Sequence, residues 1–563
     1  MRKTLQLEGR FTASLMVERC LEDLGATPGS FFMRETWYTT LDRRFNTKEV
    51  VDMLELRNLS IRLKKTGFEL VKELSITLNR GDKVAVIGHE GTGKSTLLKA
   101  LLDRDLQTHV DVFGEMRCRG TIGYLEQDLG KTWNQCRIQD YFVKDTPDGP
   151  IRYERYENLK HLSEVFERLG FSEKSYHDNK TLSQFSGGEL VKLNLAKLLI
   201  QDVDVFLLDE PTNDLDFETI LFLESFIQTE NRPILFVSHD EKLLENTANG
   251  IVHLQRVQKR TKAKTYSEWC GYQEYRDLRL RVYRSKLMQA RKQRSDYKKK
   301  MERFRQIYQK VAHEQDQTVR NPSKARLLKK KIKHMKSIEK NIEREKDRFI
   351  PIPEKEDHID IFFSDSVSIP KGKRVIDYRR KELKRDNRVL SKDIELSIVG
   401  PEKVAIIGKN GVGKSTLMAD LYEELKTRDD ISVAYMPQDY EDLNEDVPVL
   451  EFLNADYDRK KEAKARKMLG ALAFEREEMT VSTRSLSGGQ RAKLYFLKMI
   501  LDENDVLLLD EPTRNLSPLS APEVHEMLLN FKGAIIAITH DRTFIENVID
   551  TLYSLDETTF SKV

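Results

Sequence analysis

Short, uninterrupted apolar runs punctuate this chain, and each leads into a stretch whose apolar positions fall three and four residues apart. The clearest runs are Val84–Ile87, Asp204–Leu208 and Pro233–Val237 in the first half, and Val404–Ile407, Asp505–Leu509 and Ala534–Ile538 in the second. A strand with one wet face alternates polar and apolar residues, whereas a strand of a parallel sheet covered by helices buries both faces and reads as a continuous run. Such strands alternating with helical stretches predict an α/β architecture. Between Tyr272 and Phe349 the pattern changes. Leu280, Tyr283, Leu287, Met288, Phe304 and Tyr308 sit at helical spacings, and Tyr272 to Val311 is free of proline and glycine, which predicts a helix of about 60 Å. The polar stretch His313–Ser323 then breaks the pattern and contains Pro322, and a second helical run follows from Lys324 to Phe349. Proline is disfavoured inside a helix, so the two runs predict a hairpin of antiparallel helices with its tip near Glu314 to Pro322.

The two halves repeat each other. Gly88-His89-Glu90-Gly91-Thr92-Gly93-Lys94-Ser95 has its counterpart in Gly408-Lys409-Asn410-Gly411-Val412-Gly413-Lys414-Ser415. Farther on, Phe185-Ser186-Gly187-Gly188-Glu189 matches Leu486-Ser487-Gly488-Gly489-Gln490, and Asp209-Glu210 matches Asp510-Glu511. Ser186 and Ser487, Asp209 and Asp510, and His239 and His540 are all 301 residues apart, a constancy that marks a duplicated domain. Lys94 and Lys414 are 320 apart, so the first copy holds 19 extra residues between its Gly-rich loop and its Ser-Gly-Gly sequence. They fall within Leu106–Leu182, where a small projecting subdomain is expected. Four segments result: an N-terminal extension over 1–52, a first α/β domain over 53–255 carrying the insertion, a helical linker over 256–350, and a second α/β domain over 351–563. Each α/β domain is expected to hold a smaller helical subdomain around its Ser-Gly-Gly sequence.

At 563 residues the chain is too long for a single core. With 39% hydrophobic and 33% charged residues, it has material for packed cores under a charged surface rather than for disorder. No stretch approaches the roughly 18 to 20 apolar residues of a membrane span, and no signal-peptide pattern opens the chain. A cytoplasmic protein without membrane insertion is therefore expected. Cys20, Cys118, Cys136 and Cys270 are scattered without metal-site spacing and read as incidental thiols. The net charge of +3 conceals a sharp asymmetry. Between Gln273 and Arg348, 26 Lys and Arg face 10 Asp and Glu, a local charge of +16 that leaves −13 for the remainder. A basic hairpin in an acidic chain suits a polyanionic partner, and a solvated spacer is the plainer alternative.

The Gly-rich loops lie between a buried strand and a helix, the setting in which such a sequence binds phosphate. Gly88, Gly91 and Gly93, and Gly408, Gly411 and Gly413, let backbone N–H groups close around the β- and γ-phosphates, while the helix N-terminus adds partial positive charge. Lys94 and Lys414 supply full charges, and Ser95, Thr96, Ser415 and Thr416 open the helices. The hydroxyls of Ser95 and Ser415, with Asp209 and Asp510 at strand ends, form donor sets for Mg2+. Glu210 and Glu511 come next in sequence, where a carboxylate orients and deprotonates the water attacking the γ-phosphate. A carboxylate that merely holds a neighbouring loop is the plainer reading. ATP and Mg2+ are the expected ligands.

With these sequences in both halves, the chain resembles the ATP-binding-cassette superfamily. Ser186-Gly187-Gly188 and Ser487-Gly488-Gly489 look like its signature sequence. In that family the signature of one cassette closes over the γ-phosphate held by the other, which implies a monomer with an intramolecular cassette dimer, Lys94 facing Ser487 and Lys414 facing Ser186. The resemblance also implies that Gln127, in Tyr124-Leu125-Glu126-Gln127, and Gln438, in Tyr435-Met436-Pro437-Gln438, contact magnesium and water. It assigns His239 and His540, in Ser238-His239-Asp240 and Thr539-His540-Asp541, to the γ-phosphate. Two departures stand out. Glu189 ends the first signature where the family usually has glutamine, and Arg514-Asn515-Leu516-Ser517-Pro518 replaces the more usual pattern seen in Asn213-Asp214-Leu215-Asp216. They predict that the two sites hydrolyse ATP at different rates. Phe68 and Tyr378 are the candidates for stacking on adenine.

A long basic hairpin between two cassettes resembles the ABC-F subfamily, over residues 53–563, with the hairpin matched by architecture rather than by motif. The resemblance implies binding to ribosomal RNA and tRNA, the hairpin entering the tRNA exit site of the ribosome and pointing towards the peptidyl-transferase centre when ATP closes the cassettes. Lys and Arg can neutralise RNA phosphates, and Arg, Tyr and Phe can stack on exposed bases. Protection of the ribosome from antibiotics is the preferred role; a housekeeping factor for stalled or initiating ribosomes is the alternative within the subfamily. An ATPase subunit for a separate membrane transporter is the alternative outside it. Met53-Leu54-Glu55-Leu56 resembles a natural start for the family, so a chain beginning at Met53 is expected to keep full ATPase activity.

Overall fold

The computed structural model describes residues 53–102, 109–125, 133, 135–169, 171, 180–213, 215–257, 262–317, 322–353, 361–364, 367–385, 388–440, 443, 446–454, 456–472, 474–556 and 559–563. The expected extension over 1–52 lies outside them. Two compact units emerge, one formed by Met1–Tyr272 with Asp357–Val563 and the other by Gln273–Glu356.

In the first unit, the first half contributes β1 (Leu54–Leu63), β2 (Glu69–Leu78), β3 (Lys83–Gly88), β4 (Val110–Cys118), β5 (Ile122–Leu125), β6 (Val205–Asp209), β7 (Ile234–Val237), β8 (Gly250–Val257) and β9 (Lys262–Glu268). The second half contributes β10 (Arg374–Arg385), β11 (Arg388–Val399), β12 (Lys403–Ile407), β13 (Val433–Met436), β14 (Val506–Asp510), β15 (Ala534–Ile538), β16 (Thr551–Leu555) and β17 (Phe560–Lys562). Each half builds one sheet of six, in the orders β5-β6-β7-β3-β8-β9 and β13-β14-β15-β12-β16-β17, parallel except for the last strand of each. The expected apolar runs form β3, β6, β7, β12, β14 and β15, and all their residues are buried. Alternate side chains of one strand enter different cores: Val506 and Leu508 pack with Val404 and Ile406, whereas Leu507 and Leu509 pack with Phe496 and Leu497. That division is why the strands show no polar face.

Four helices of these halves matter most for function: α1 (Lys94–Leu102), α2 (Gly187–Ile200) and α3 (Phe217–Thr229) in the first, and α4 (Lys414–Lys426) opening the second. They are joined there by α5 (Gly488–Asp502) and α6 (Arg542–Val548).

Among the described residues, the 19 extra residues of the first half divide between two places. From Lys94 to Tyr124 is 30 residues, against 21 from Lys414 to Tyr435, and the rest of the difference falls between Tyr124 and Ser186. The earlier share is spent on β4, which adds a third strand to the antiparallel sheet β2-β1-β4, whereas the second half has the hairpin β10-β11 at this place. The later share lies near the short bridge between Lys144 and Ile151.

The first sheet also runs past residue 255, where the linker was expected to start. β9 pairs antiparallel with β8 from Ile251 opposite Glu268 to Val257 opposite Lys262. Its sequence, KAKTYSE, is mostly charged and polar. An edge strand packed on one side carries little of the apolar signal that identifies central strands.

The second unit is a pair of helices, Tyr272–Gln317 and Pro322–Arg344, followed by a short 3-10 turn at Glu345–Arg348. The first helix is 46 residues long, about 70 Å at 1.5 Å per residue, and runs beyond the expected end at Val311. Pro322 begins the second helix, the position where its missing N–H costs nothing. Phe304, Val311, Leu328 and Met335 are buried together, with Tyr308, Ile332 and Ile342 against them. Their spacings of three, four and seven place one apolar seam on each helix. Tyr297 meets the Phe349 ring edge-on at 5.5 Å, and the Ile350 N–H donates to Gln293 Oε1 at 2.9 Å. Among the described residues, no helix is long and apolar enough to cross a membrane.

Candidate nucleotide sites

Each Gly-rich loop leaves the end of a central strand and turns directly into a helix. At Gly88 and Gly408, with φ of 146° and 156°, a Cβ would collide with the carbonyl oxygens of Leu254 and Leu555 on the neighbouring strands. Only glycine lets the chain turn there. Lys94 folds back over its loop and donates to the carbonyls of Gly88 at 2.9 Å and His89 at 3.2 Å. Lys414 does the same to Gly408 at 2.6 Å and Lys409 at 3.1 Å. Both amines are buried, and burial lowers both from the usual lysine value.

Behind each loop stand the hydroxyl and carboxylate of the expected metal set. Ser95 Oγ donates to Asp209 Oδ1 at 2.9 Å, and the Tyr124 hydroxyl donates to Oδ2 at 3.0 Å. Burial raises Asp209, and those two donors oppose the shift. Asp510 is likewise raised by burial and receives the Ser415 hydroxyl. Hard oxygens at this spacing, beside a phosphate-binding loop, fit a magnesium ion. Gln438 lines the cavity around Lys414; Gln127 lies outside the described residues.

Glu210 and Glu511 both adopt positive backbone φ, 47° and 52°, an uncommon conformation for a non-glycine residue that both halves share at this position. Their electrostatic surroundings differ. Burial alone would raise Glu210, but His239 Nε2 at 3.3 Å, Lys94 Nζ at 4.0 Å and the Asn213 amide donating at 2.7 Å outweigh it and hold the carboxyl at about 2. Burial pushes Glu511 up to about 8, and adjacent Asp510 adds to the rise. His540 Nε2 stands 3.8 Å away and is depressed to about 4, first by burial and then by Lys414. Part of the contrast lies in the sequence: Asn213, which bonds Glu210, is replaced in the second half by Arg514.

The halves complete each other's cavities. Around Lys414, a cavity of about 500 Å3 is lined by Gly411, Gly413, Ser415, Thr416, Asp510, Glu511 and His540, and also by Gly187, Asn213 and His239 of the first half. Around Lys94, a cavity of about 490 Å3 contains Gly91, Gly93, Ser95, Thr96, Glu210 and His239 together with Arg514 and Asn515 of the second half. Contacts across this second cavity are direct. His239 Nδ1 lies 2.7 Å from the Leu516 carbonyl, and the Gly489 N–H donates to Glu90 at 3.0 Å. By contrast, His540 Nδ1 is buried without a hydrogen-bond partner among the described residues.

Ser186 and Ser487 cap the N-termini of α2 and α5 in reciprocal fashion with the residue three positions on. The fourth residue changes the chemistry. Glu189 Oε2 accepts from both the N–H and the hydroxyl of Ser186, at 2.8 and 2.9 Å. Gln490 accepts only the Ser487 N–H, at 3.1 Å, and turns its amide to Glu478 at 2.9 Å.

Of the two stacking candidates, Tyr378 is fully buried in its cassette core with its hydroxyl on Asp420 at 2.5 Å, and Leu390 lines the Lys414 cavity instead. Phe68 is packed against the first core, and Arg256, which lines the Lys94 cavity, covers its ring at 4.8 Å. Sequence reasoning passed over Arg256 and the bonding roles of Glu90, Asn213 and Tyr124. Arg256 belongs to no recognisable motif and reaches the site from the end of β8, and the loop pattern that begins at Asn213 gives no sign of its bond to Glu210.

The family described as ABC transporter matches residues 71–213 and 391–514. Among curated proteins, the ribosome protection protein VmlR of Bacillus subtilis is 28% identical over 520 residues, covering 89% of this chain and 86% of VmlR. ABC transporter F family member 5 of Arabidopsis thaliana is 24% identical over 583 residues, covering 94% of this chain and 79% of the relative. Among solved structures, the complex of an archaeal ribosome recycling factor with the archaeal stalk protein aP1 aligns at a TM-score of 0.55 and 17% identity, covering 88% of this chain and 87% of the other, which speaks for the fold. Two phosphate loops, two signatures and two six-stranded sheets of one order, matched twice by the same family, make this chain a tandem member of the ATP-binding-cassette family, of the ABC-F type.

Proposed function

We propose that this chain hydrolyses ATP at two composite sites and that, with ATP bound, it places its basic helix pair on ribosomal RNA. The nucleotide part rests on the arrangement around the loops. Backbone N–H groups, Lys94 and Lys414 bind the phosphates, Ser95 with Asp209 and Ser415 with Asp510 hold magnesium, and the opposing signatures cover the terminal phosphate. Bound there, magnesium would supply positive charge to offset the charge developing on the transferred phosphoryl group. Glu210 accepts the proton of the attacking water, oriented by His239; Glu511 and His540 play the same parts in the other site. The surroundings of the two glutamates support unequal rates.

The ribosome part is carried by one observation, the +16 helix pair inserted between two cassettes. Similarity to VmlR, a ribosome protection protein, supports it. Lys and Arg along about 70 Å of helix suit the phosphates of folded RNA. Within this reading the hairpin enters the tRNA exit site, reaches towards the peptidyl-transferase centre and protects it from antibiotics. The protein carrying Glu210→Gln and Glu511→Gln, incubated with ATP, should sediment with ribosomes. Its absence from the ribosome fraction would overturn the reading. Cells lacking the gene should be more susceptible to drugs of the peptidyl-transferase region; equal susceptibility points to a housekeeping role in translation.

A further inference from the structure

We infer that Glu90 sets the choice between nucleoside diphosphate and triphosphate at the Lys94 site, by standing where a third phosphate has to go. The inference rests on the proposal that this cavity binds nucleotide. Glu90 is the third residue of its phosphate loop, and its Oε2 accepts the N–H of Gly489 in the opposing signature at 3.0 Å. A Cβ on Gly488 would stand 3.0 Å from that same oxygen, so the carboxylate is seated against both glycines. The first N–H groups of α5 lack partners within the helix and carry the positive end of its dipole, which favours an anion. Glu90 is also among the carboxylates whose field acts on Lys94. The protein thus supplies its own negative oxygen between the two groups that clasp a terminal phosphate in the proposed mechanism.

The second loop has no such anion. Its corresponding residue is Asn410, whose neutral side-chain oxygen lies 3.4 Å from Lys414 Nζ. A diphosphate ends before the signature and leaves the Glu90 contact with Gly489 intact. A triphosphate must expel Glu90 from it, losing a charge-assisted hydrogen bond, or else hold two anions together. Relative to the Lys414 site, the Lys94 site therefore favours ADP over ATP. Glu90 and the bond between His239 and Leu516 keep its two faces together without a triphosphate.

The test uses the full chain with Lys414→Ala, so that only the Lys94 site is loaded. Calorimetry with Mg2+ compares ADP and the β,γ-imido analogue of ATP in this parent and after adding Glu90→Asn or Glu90→Gln. Glu90→Asn should tighten the triphosphate analogue relative to ADP by about tenfold or more. Glu90→Gln, neutral but equal in length, should lie between the two. Parallel changes for both nucleotides, or a weaker triphosphate, overturn the assignment of Glu90. Failure of the parent to bind either nucleotide overturns the nucleotide reading of the cavity as well. Thermal melting identifies a variant that does not fold, and Glu90→Gln then carries the comparison.

Discussion

Glu210 and Glu511 occupy equivalent positions yet answer to pH in opposite senses. Glu210 is held at about 2 in the folded chain, below the ordinary carboxylate value of 4.5, so its stabilising effect is present above 4.5 and lost as pH falls towards 2. Glu511 is raised to about 8, so the folded chain binds the extra proton between 4.5 and 8. Its contribution to stability is greatest below 4.5 and declines as pH rises to 8, by at most about 1.4 kcal/mol for each pH unit. Without nucleotide or magnesium, Glu511→Gln should therefore be more stable than the unaltered protein at pH 8, with the advantage disappearing at pH 4.5. Glu210→Gln should lose stability at pH 7. Denaturant melts across this range check both, and parallel curves for the two variants would contradict the assignment. Under single-turnover conditions with ATP, each substitution should lower hydrolysis by about 100-fold or more at its own site, with different residual rates. Equal residual rates would count against inequivalent sites.

At the scale of elements, the basic helix pair has an apolar seam that is separable from its charge. Phe304→Ala and Met335→Ala remove buried side chains of that seam and should each cost about 2 to 4 kcal/mol of hairpin stability. Proteolysis between the two helices should rise accordingly. Replacing Lys329, Lys330 and Lys333 by Gln should leave the folded hairpin intact, as Lys329, Lys330 and Lys333 are exposed. It should weaken ribosome binding and flatten the dependence of affinity on salt, since each phosphate contact contributes about one unit to that slope. An unchanged slope would place the RNA contact elsewhere.

Across the whole molecule, one buried charge joins the cassettes. Arg542, at the start of α6, lies 2.7 Å from Glu224 on α3 and 3.6 Å from Asp240, and Lys242 pairs with Glu546 at 2.8 Å. The residue matching Arg542 in the first half is Glu241, so the clasp is not duplicated. Arg542→Ala leaves two partly buried acids without their cation and should cost about 3 kcal/mol or more. Calorimetric unfolding should show the two cassettes melting more independently, and Glu224→Gln in the same chain should restore part of the loss. A single unchanged transition would rule out this clasp as a coupling element.

Much of the architecture could be read from residue order alone. Strands buried on both faces must be continuous runs, loops that wrap phosphate must place glycines at fixed intervals, and a constant separation of 301 residues between matching motifs betrays duplication. Pro322 likewise marked the turn between the long helices. These signals are local, or repeat local signals, and so survive in one dimension. The fate of the extra residues, the polar edge strand β9 and the burial of Tyr378 did not, because each depends on which surface lies opposite. The same holds for the sites. Residue types announced two phosphate loops with their carboxylates, but only the folded chain decided that Glu210 would be held below the ordinary carboxylate range and Glu511 above it, and that Glu90 would reach the opposing signature. Burial and charge act through space, over distances that sequence separation does not encode.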